Sequence, residues 1–453
     1  MIRLGVVVAA SCTAAPAQQP PSEILLYVDT DAPMPEYAAP ADAPTPLFDR
    51  VRIDVAGPAG AVASNDLELF ADMLRAGASV GLGLPVGAGG YVARVRLYRA
   101  AFATADGEPD PRSTVDVTVA LPPVQANVTT AITAMLPTST VGVPSGSDAA
   151  PVEPQDGAPS PSQVGTWPPS KPVRCRGMPL DDEVCIPGGA YWMGNPAAKS
   201  VLTGNDGTSV RLVVLSPFFL KKTETTVGEY RASGLPVYGA WSGSTAGTDT
   251  QDWCTYTSAP RACDGEGPCD TSPANCVLPS QARAFCQKRG GDLPTEAQYE
   301  YAAGGLQGRA FVWGEDQPTC PDAVFAQGGN GVLMPGLTAC QRPSHHGGPR
   351  PPGTGMRDRL PFGDGGEVLD LAGNLGEWAR DTWNEQTEGC WAAPGIYTDP
   401  VCARPSAIDV GWLPWRGGDW LTLEPLYAAS RAIAFPGEGS IQIGFRCVRD
   451  ASP

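Results

Sequence analysis

The sequence predicts an α+β protein in which a small all-β sandwich domain precedes an irregular domain of short helices and strands. Three observations support this prediction. Hydrophobic and polar residues alternate in several segments before residue 137, short helices with capping residues follow residue 173, and twelve of the thirteen cysteines lie in 175–447. With 453 residues, the chain is long enough for two or three domains.

The all-β prediction rests on alternation with a period of two. Residues 50–55 (RVRIDV) put three aliphatic side chains on one face and three charged ones on the other, and 91–97 and 114–119 repeat this period. Such alternation is typical of half-buried strands, and the Gly- and Pro-rich pieces between them are turns. We therefore predict a small antiparallel β-sandwich over 22–139. Residues 66–76 fit either a helix or a strand.

The N-terminus is typical of a bacterial lipoprotein. An arginine, the apolar stretch 4–11 and Cys12 follow in the order of a lipoprotein signal, so Cys12 would carry the lipid. The alternative is a soluble chain whose start has been assigned wrongly. No other stretch approaches the ~20 apolar residues of a membrane span. We expect secretion across the inner membrane and a location in the cell envelope, on the periplasmic side of the outer membrane or at the cell surface, with the lipid as the only membrane contact.

Residues 140–172 are rich in Pro, Ser and Gly and predict a disordered linker, because they offer little apolar surface to offset the entropy of ordering. The predicted organisation is a signal and tether over 1–21, the sandwich over 22–139, the linker over 140–172 and the second domain over 173–453. In the second domain, capping-box spacing at Thr226 and at Thr295 predicts two helix starts. Ser280 is the expected cap of a third helix over 281–289.

The net charge argues against one class of function, and the cysteine content indicates the compartment in which the protein folds. The net charge of −17 argues against a broad basic footprint for nucleic acid. An even set of twelve cysteines in one region indicates disulfides formed in an oxidising compartment. Zinc is the alternative, but no C-x2-C spacing occurs. The two histidines, His345 and His346, are adjacent in a Gly/Pro-rich loop, which favours a surface loop over a metal pair.

Several motifs of the second domain follow one another in a fixed order. They include Pro187–Gly194, Leu293–Ala303, Asp370–Trp378, Arg416–Trp420 and Gly444–Cys447. In this order they resemble the formylglycine-generating enzyme (sulfatase-modifying factor) family over roughly 185–449. The resemblance implies a C-type-lectin-like fold, irregular α+β, for the second domain.

The same resemblance implies a change in the active-site segment. The family's oxidases convert a substrate cysteine into formylglycine with copper held by two thiolates, and those two positions are Thr422 and Tyr427 here. A family histidine falls on Leu423 and a family serine on Asp419. Hydroxyl groups do not suit soft Cu(I), so copper is not expected. Glu424 and the proline after it could line a ligand pocket or lie in a solvated loop.

The Asn374-x-x-Glu377 element resembles a calcium-binding loop of the family, and its hard oxygen ligands suit calcium. The alternative is a turn in which Asn374 bonds its own backbone. The family's other calcium loop is degraded at 322–326, where its asparagine is absent. Calcium is therefore the one cofactor that we consider.

The resemblance also implies the disulfide Cys286–Cys447. A second family bridge, at Ala303 and Ala432, lacks both cysteines. Proximity along the chain favours three further pairs, Cys175–Cys185, Cys320–Cys340 and Cys390–Cys402. The remaining four cysteines would pair among themselves in an order that the sequence leaves open, and these are Cys254, Cys263, Cys269 and Cys276.

These observations favour a non-catalytic, envelope-anchored binding or interaction protein of the sulfatase-modifying-factor type. Its partner would be a peptide, a glycan or another envelope protein. The alternative is an oxidoreductase of the formylglycine-generating type with altered active-site residues. A third hypothesis is a structural envelope component whose pocket is filled by its own side chains.

Overall fold

The structure, a computed structural model, describes residues 4–7, 22–38, 46–143, 150–196, 209–236, 253–256, 269–304, 308–328, 340, 347–362, 366–403, 411–423, 427–435 and 439–451. The chain divides into two compact units. The first contains 1–171, 210–212 and 394–396, and the second contains 172–209, 213–393 and 397–453. The boundary after residue 171 lies beside the predicted domain start at 173.

The described residues of the first unit form two β-sheets. Its elements are β1 (Leu4–Val7), β2 (Glu23–Asp29), β3 (Arg50–Gly57), β4 (Gly60–Glu68), α1 (Ala71–Arg75), β5 (Ser79–Leu82), β6 (Val92–Tyr98), β7 (Val115–Ala120), β8 (Thr129–Met135) and β9 (Gln155–Asp156). One sheet has the order β4-β3-β6-β7 and the other β1-β5-β2-β8-β9.

The alternation predicted from the sequence is present in these strands. In β3, Val51, Ile53 and Val55 are at most 2% exposed, while the charged residues between them are half-buried. The ambiguous stretch 66–76 is both strand and helix, since β4 ends at Glu68 and α1 begins at Ala71. The prediction of purely antiparallel pairing is wrong for one pair, because β2 and β8 run parallel over seven residues.

The predicted disorder of the linker is contradicted over its described residues, which are 140–143 and 150–172. β9 pairs with β8, and the backbone of Val152 bonds residues of β7. Ser162 donates to the buried Asp29 at 2.6 Å, and Trp167 is 7% exposed. One tryptophan and a few backbone bonds therefore order a segment whose composition indicated disorder.

Within the predicted signal, Leu4–Val7 pairs with β5 as an antiparallel strand. Cys12 and the tether over 13–21 lie outside the described residues, so lipid attachment stays a prediction. Among the described residues, the helices are all too short or too polar to cross a membrane.

In the described residues of the second unit, short strands combine with three α-helices. Its elements are β10 (Glu183–Ile186), β11 (Gly189–Met193), β12 (Arg211–Leu215), β13 (Phe218–Lys221), α2 (Val227–Ala232), α3 (Pro279–Lys288), α4 (Glu296–Gly304), β14 (Arg359–Pro361), β15 (Glu367–Leu369), β16 (Gly376–Trp378), β17 (Tyr397–Thr398), β18 (Leu413–Arg416), β19 (Arg431–Ala434), β20 (Ile443–Gly444) and β21 (Val448–Asp450). They form the sheets β10-β13-β21, β11-β12-β17, β14-β15 and β19-β18-β16-β20.

Two of the three predicted helix starts are confirmed. Thr226 and Glu229 form a reciprocal capping box on α2, and Thr295 and Gln298 do the same before α4. Ser280 is not a cap, because α3 already begins at Pro279. A proline at the first helical position has the required φ and needs no hydrogen-bond partner for its nitrogen, so the helix starts earlier than the sequence predicts.

Three hydrophobic clusters lie among the described residues of this unit, and the smallest consists of Trp253, Val324, Leu375 and Trp420. Of the other two, one surrounds β10, β13 and α4, and the second joins α2 and α3 to β16. Trp378 and Trp420 are fully buried, as expected of core residues.

Five disulfides are described: Cys175–Cys185, Cys254–Cys276, Cys286–Cys447, Cys320–Cys340 and Cys390–Cys402. Four of them are the pairs expected from the sequence, and Cys254–Cys276 is one of the pairings left open there.

Candidate functional site

The candidate site is the segment that follows β18, residues 417–427. It begins with a sharp turn at Gly417, whose φ is +81°. A Cβ atom there would lie 2.5 Å from the Tyr299 hydroxyl and 3.0 Å from the Leu371 carbonyl oxygen. The turn therefore requires glycine, both for its backbone conformation and for the close approach of α4.

Asp419 and Thr422 hydrogen-bond each other across the next turn. The Thr422 hydroxyl donates to Asp419 Oδ2 at 2.7 Å and accepts from the Asp419 N–H at 3.2 Å. Asp419 Oδ1 accepts from the Leu421 N–H at 2.7 Å and from Gln442 Nε2 at 3.1 Å. Burial raises the pKa of Asp419, and these hydrogen bonds oppose the shift. Thr422 is 7% exposed, so its hydroxyl is a structural partner of Asp419.

Tyr427 packs in an aromatic stack. Its ring lies 4.7 Å from that of Phe311 at an interplanar angle of 18°, and Phe311 stacks in turn on Trp313 at 5.5 Å. Leu423, which lies between Thr422 and Tyr427 in the chain, is 48% exposed. Glu424 and Pro425 lie outside the described residues. Thr422 and Tyr427 are thus each held by a separate local structure, one a hydrogen-bonded turn and the other an aromatic stack.

The floor of the segment is formed by Trp420. Its ring lies 5.3 Å from that of Trp253, and its indole N–H donates to the Ile441 carbonyl at 3.0 Å. The backbone of 420–422 also bonds the neighbouring loop, since Ala326 N donates to Thr422 O at 3.1 Å and Gln327 N to Trp420 O at 2.6 Å. Backbone bonds on one side and a buried indole below hold this segment in place.

The described cysteines of the second unit are not available as thiolate ligands. Each cysteine described between 172 and 453 is disulfide-bonded, including Cys269. Cys263 lies outside the described residues, as do His345 and His346. A pair of thiolates at 422 and 427 would have to come from cysteines that this chain does not have there.

The two predicted calcium ligands have other partners. Asn374 Oδ1 accepts from the Arg350 N–H at 2.7 Å, and Asn374 Nδ2 donates to Glu224 Oε2 at 2.7 Å. Both carboxylate oxygens of Glu377 accept from Arg446 Nε at 2.8 Å. In the described part of the chain, no group of three or more His, Cys, Asp or Glu side chains is arranged around a metal position. Asn374 and Glu377 therefore do not fit the predicted calcium site, and Asn374 bonds a distant loop instead of its own backbone.

Sequence reasoning missed the buried ionic network around Arg446. This guanidinium is 0% exposed, binds Glu377 and donates to the carbonyls of Leu369 and Asp370 at 2.8 and 2.9 Å. Burial, reinforced by the charge of Asp358, raises the pKa of Asp370 to about 8, and burial raises that of Asp358 to about 6. More carboxyl groups than cations are buried here. The available signal was the presence of charged residues inside otherwise apolar motifs such as Gly444–Cys447.

A second buried network joins α4 to the strands beside it. Glu296 accepts from Arg431 at 2.5 and 2.6 Å, and Glu300 pairs with Arg416. The Arg431 guanidinium also lies 4.2 Å from the centre of the Trp383 ring. Burial makes these pairs costly to break from one side. The network joins α4 to Arg416 at the end of β18 and to Arg431 at the start of β19, the strands before and after this segment in the chain.

Asp381 belongs to this second network and gives it a pH dependence. Its oxygens accept from the N–H groups of Glu296 and Cys402, each at 2.7 Å. Burial, with the charge of Glu296 adding to it, raises its pKa to about 7. A raised carboxyl pKa stabilises the fold at low pH, and this contribution is lost as the pH rises through the folded-state pKa.

We therefore expect the free energy of unfolding to fall between about pH 4 and pH 7 by up to about 1.4 kcal/mol per pH unit for this one proton. In the Asp381→Asn variant the decline should be shallower. At pH 4 the variant should be less stable than wild type, since its amide NH2 group cannot accept one of the two backbone hydrogen bonds. Denaturant unfolding at pH 4, 5, 6, 7 and 8 measures both profiles, and parallel profiles would contradict the assignment.

Comparison with known proteins gives the following. The family described as sulfatase-modifying factor enzyme 1-like domain matches residues 171–451. The formylglycine-generating enzyme of Streptomyces coelicolor is 26% identical over 338 residues, which cover 65% of this chain and 96% of that enzyme. The inactive C-alpha-formylglycine-generating enzyme 2 of Mus musculus is 26% identical over 188 residues, covering 38% of this chain and 47% of the relative. The structure of PvdO from Pseudomonas aeruginosa is similar with a TM-score of 0.39 and 23% identity, over 62% of this chain and 98% of PvdO.

Proposed function

Because this chain belongs to the family of sulfatase-modifying factor enzyme 1-like domains, we propose that it is a non-catalytic member that binds a partner and does not oxidise a substrate cysteine. The family match covers 171–451, and the mixed helices and sheets of the second unit fit that family's fold. The observation that carries the proposal is the state of the two former thiol positions, Thr422 and Tyr427.

Neither residue can replace a thiolate in copper chemistry. Soft Cu(I) prefers sulfur ligands over the hard oxygen of an alcohol or a phenol group. The Thr422 hydroxyl is in addition used by Asp419, and the Tyr427 ring by Phe311. Binding a metal through Thr422 would break the hydrogen bond between its hydroxyl and Asp419, so retention of the family's redox reaction is disfavoured.

Similarity to a family member that is itself named inactive supports the same conclusion. The mouse relative shares 26% identity over 188 residues. Such a scaffold keeps its surface after the chemistry is lost, and function then depends on what that surface binds. Calcium has no part in the proposal, because Asn374 and Glu377 already have protein partners.

The location and partner of the protein complete the proposal. A lipid on Cys12 would anchor the chain in the bacterial cell envelope and expose both units to the periplasm or the outside. The two sheets of the first unit would pack as a sandwich, and the second unit would have a C-type-lectin-like topology. Disulfides in the second unit agree with an oxidising compartment. The partner would be a peptide, a glycan or another envelope protein.

The second candidate is an oxidase of the formylglycine-generating type with altered residues. It is favoured by the Streptomyces coelicolor relative, which is named as such an enzyme and is covered over 96% of its length. In this case groups other than a thiol pair at 422 and 427 would have to activate oxygen.

The two candidates differ in turnover. Purified full-length chain, supplied with copper under air, would be incubated with a sulfatase-type Cys-x-Pro-x-Arg peptide and the products analysed by mass spectrometry. We expect no aldehyde product, while an active formylglycine-generating enzyme run in parallel converts the peptide. Accumulation of formylglycine above the level of a no-enzyme blank would overturn the non-catalytic proposal.

A further inference from the structure

A polar groove of about 740 Å³ opens in the second unit on elements other than the 417–427 segment. The end of β12, the turn after α3, the start of α4, the loop after β17 and strand β21 form its walls. Its lining includes Ser216, Asp292, Gln298, Arg380, Val401 and Asp450. The groove is therefore bordered along one side by the edge of a β-sheet.

At this sheet edge, the backbone of one residue of β21 is hydrogen-bonded to a neighbouring loop. The backbone of the next outward-facing residue has no such partner in the described part of the chain. Val448 N donates to Asp292 O at 2.9 Å and Asp292 N to Val448 O at 2.9 Å. Beside this pair, a Cβ atom on Gly291 would lie 2.0 Å from the Val448 carbonyl oxygen, so the turn fits only as glycine. The next residue toward α3, Gly290, donates its N–H to Gln287 O and so caps the helix instead of extending the pairing.

The open position is the backbone of Asp450. In the antiparallel pairing of β13 with β21, the bonds Lys221 N to Cys447 O and Ala451 N to Pro217 O show which residues of β21 face β13. By alternation, the N–H and C=O of Val448 and Asp450 face the other side. Those of Val448 bond Asp292. The N–H and C=O groups of Asp450 bond no other element in the described part of the chain, and they face the groove.

A weakly held guanidinium lies in the same groove. Arg380 Nε is 3.5 Å from Asp292 Oδ2, and the Arg380 side chain is 39% exposed. Asp292 is itself held by Arg283, with Nε to Oδ1 and Nη2 to Oδ2 both at 2.9 Å. The Asp292 carboxylate is therefore shared between Arg283 and Arg380. The Nη groups of Arg380 bond no described side chain or carbonyl. A planar guanidinium with free N–H groups is suited to a carboxylate.

The other two carboxylates of the groove, beside that of Asp292, are bonded by a neighbouring residue or lie exposed. Both oxygens of Asp399 are occupied by Ser216, through its N–H and its hydroxyl, each at 2.7 Å. Gln298 uses its side-chain oxygen to accept from the Thr295 N–H, which leaves its NH2 group as a donor. Asp450 stands exposed at the rim. The groove thus favours a ligand with one carboxylate and otherwise neutral polar groups.

We propose that this groove binds an extended peptide segment that pairs with the free backbone of Asp450 and places one carboxylate on Arg380. A backbone donor and acceptor side by side on a strand edge match an extended peptide, as in the addition of a strand to a sheet. A sugar would use the polar side chains but not this backbone pair in register. The proposal goes beyond the non-catalytic function and is independent of it, because a chain with oxidase activity could use the same groove.

An array of seven-residue peptides tests the proposal. Each peptide alternates threonine and valine, carries one glutamate, glutamine or lysine, and is applied to the full-length chain with affinities measured by fluorescence anisotropy. Glutamate peptides should bind about tenfold more tightly than their glutamine counterparts, because the carboxylate makes charge-assisted hydrogen bonds. N-methylation of the peptide backbone should abolish binding at one position and leave its neighbours unchanged.

Three variants connect the result to the groove. Arg380→Gln should remove the difference between glutamate and glutamine peptides, and Val401→Trp should block the groove without removing a charge. Arg359→Gln is the matched control, because Arg359 is also 39% exposed and lies 3.5 Å from a carboxylate, that of Glu367, outside the groove. Failure of every array peptide to bind, equal binding to Arg380→Gln, insensitivity to N-methylation, or binding of neutral glycans in place of peptides would each overturn the proposal.

Discussion

Replacement of Arg446 by methionine is expected to destabilise the second unit by roughly 3–5 kcal/mol. Arg446 is fully buried, and its Nε and Nη2 bond Glu377 at 2.6 to 2.8 Å. Methionine would fill much of the space but leave Glu377 charged and unpaired near Glu224 and Asp370. Removal of one partner from a buried pair costs far more than the pair contributes when intact.

Denaturant unfolding followed by tryptophan fluorescence measures this effect on the right unit, because Trp167 is the only one of the eleven tryptophans that precedes residue 172. Arg283→Met is the matched control. Its pair with Asp292 is also bidentate, at 2.9 Å for both closest contacts, but Arg283 is 47% exposed. The control should lose at most about 1 kcal/mol, since an exposed pair competes with water. Equal losses in both variants would contradict the role assigned to burial.

Removal of the Cys286–Cys447 disulfide should have the second large effect. The bond joins α3 to the residue before β21 across 161 residues. Loop-closure entropy predicts a loss of up to about 5 kcal/mol for a loop of this length. Both sulfur atoms are also buried, so the double variant Cys286→Ala/Cys447→Ala adds a small cavity to that loss.

The local disulfide Cys175–Cys185 provides the comparison, because it closes a separation of 10 residues. Its double alanine variant should lose less than about 3 kcal/mol by the same relation. Thermal unfolding under non-reducing conditions should therefore rank wild type above the 175/185 variant and the 175/185 variant above the 286/447 variant. The reverse order would show that native-state packing around these bonds outweighs the entropy of the unfolded chain.

The sequence was most informative where a structural feature depends on neighbouring residues. Alternation over 50–55 predicted β3, and the spacing of Thr226 and Glu229 predicted the cap of α2. A strand's exposed face and a helix cap involve residues that are two to four positions apart, so the pattern can be read directly. The order of motifs from residue 187 to residue 447 led to the family that the comparison with known proteins then showed.

Features that depend on distant partners were predicted poorly. The segment 150–172 was expected to be disordered, yet Trp167 is buried and β9 pairs with β8. Asn374 and Glu377 were expected to bind calcium, yet Glu224 and Arg446, 150 and 69 residues away, already bond them. Local composition does not show which surface a segment will meet.

The sequence by itself determined the half-buried strands of the first unit, the starts of α2 and α4, the family and the absence of cysteine at positions 422 and 427. Only the tertiary structure decided how Tyr427 is held, since it brings the ring of Phe311 onto the ring of Tyr427. It also decided which charges are buried together and where a strand edge stays open beside Arg380. Burial and pairing arise from contacts between residues far apart in the chain, and no local pattern of side chains specifies them.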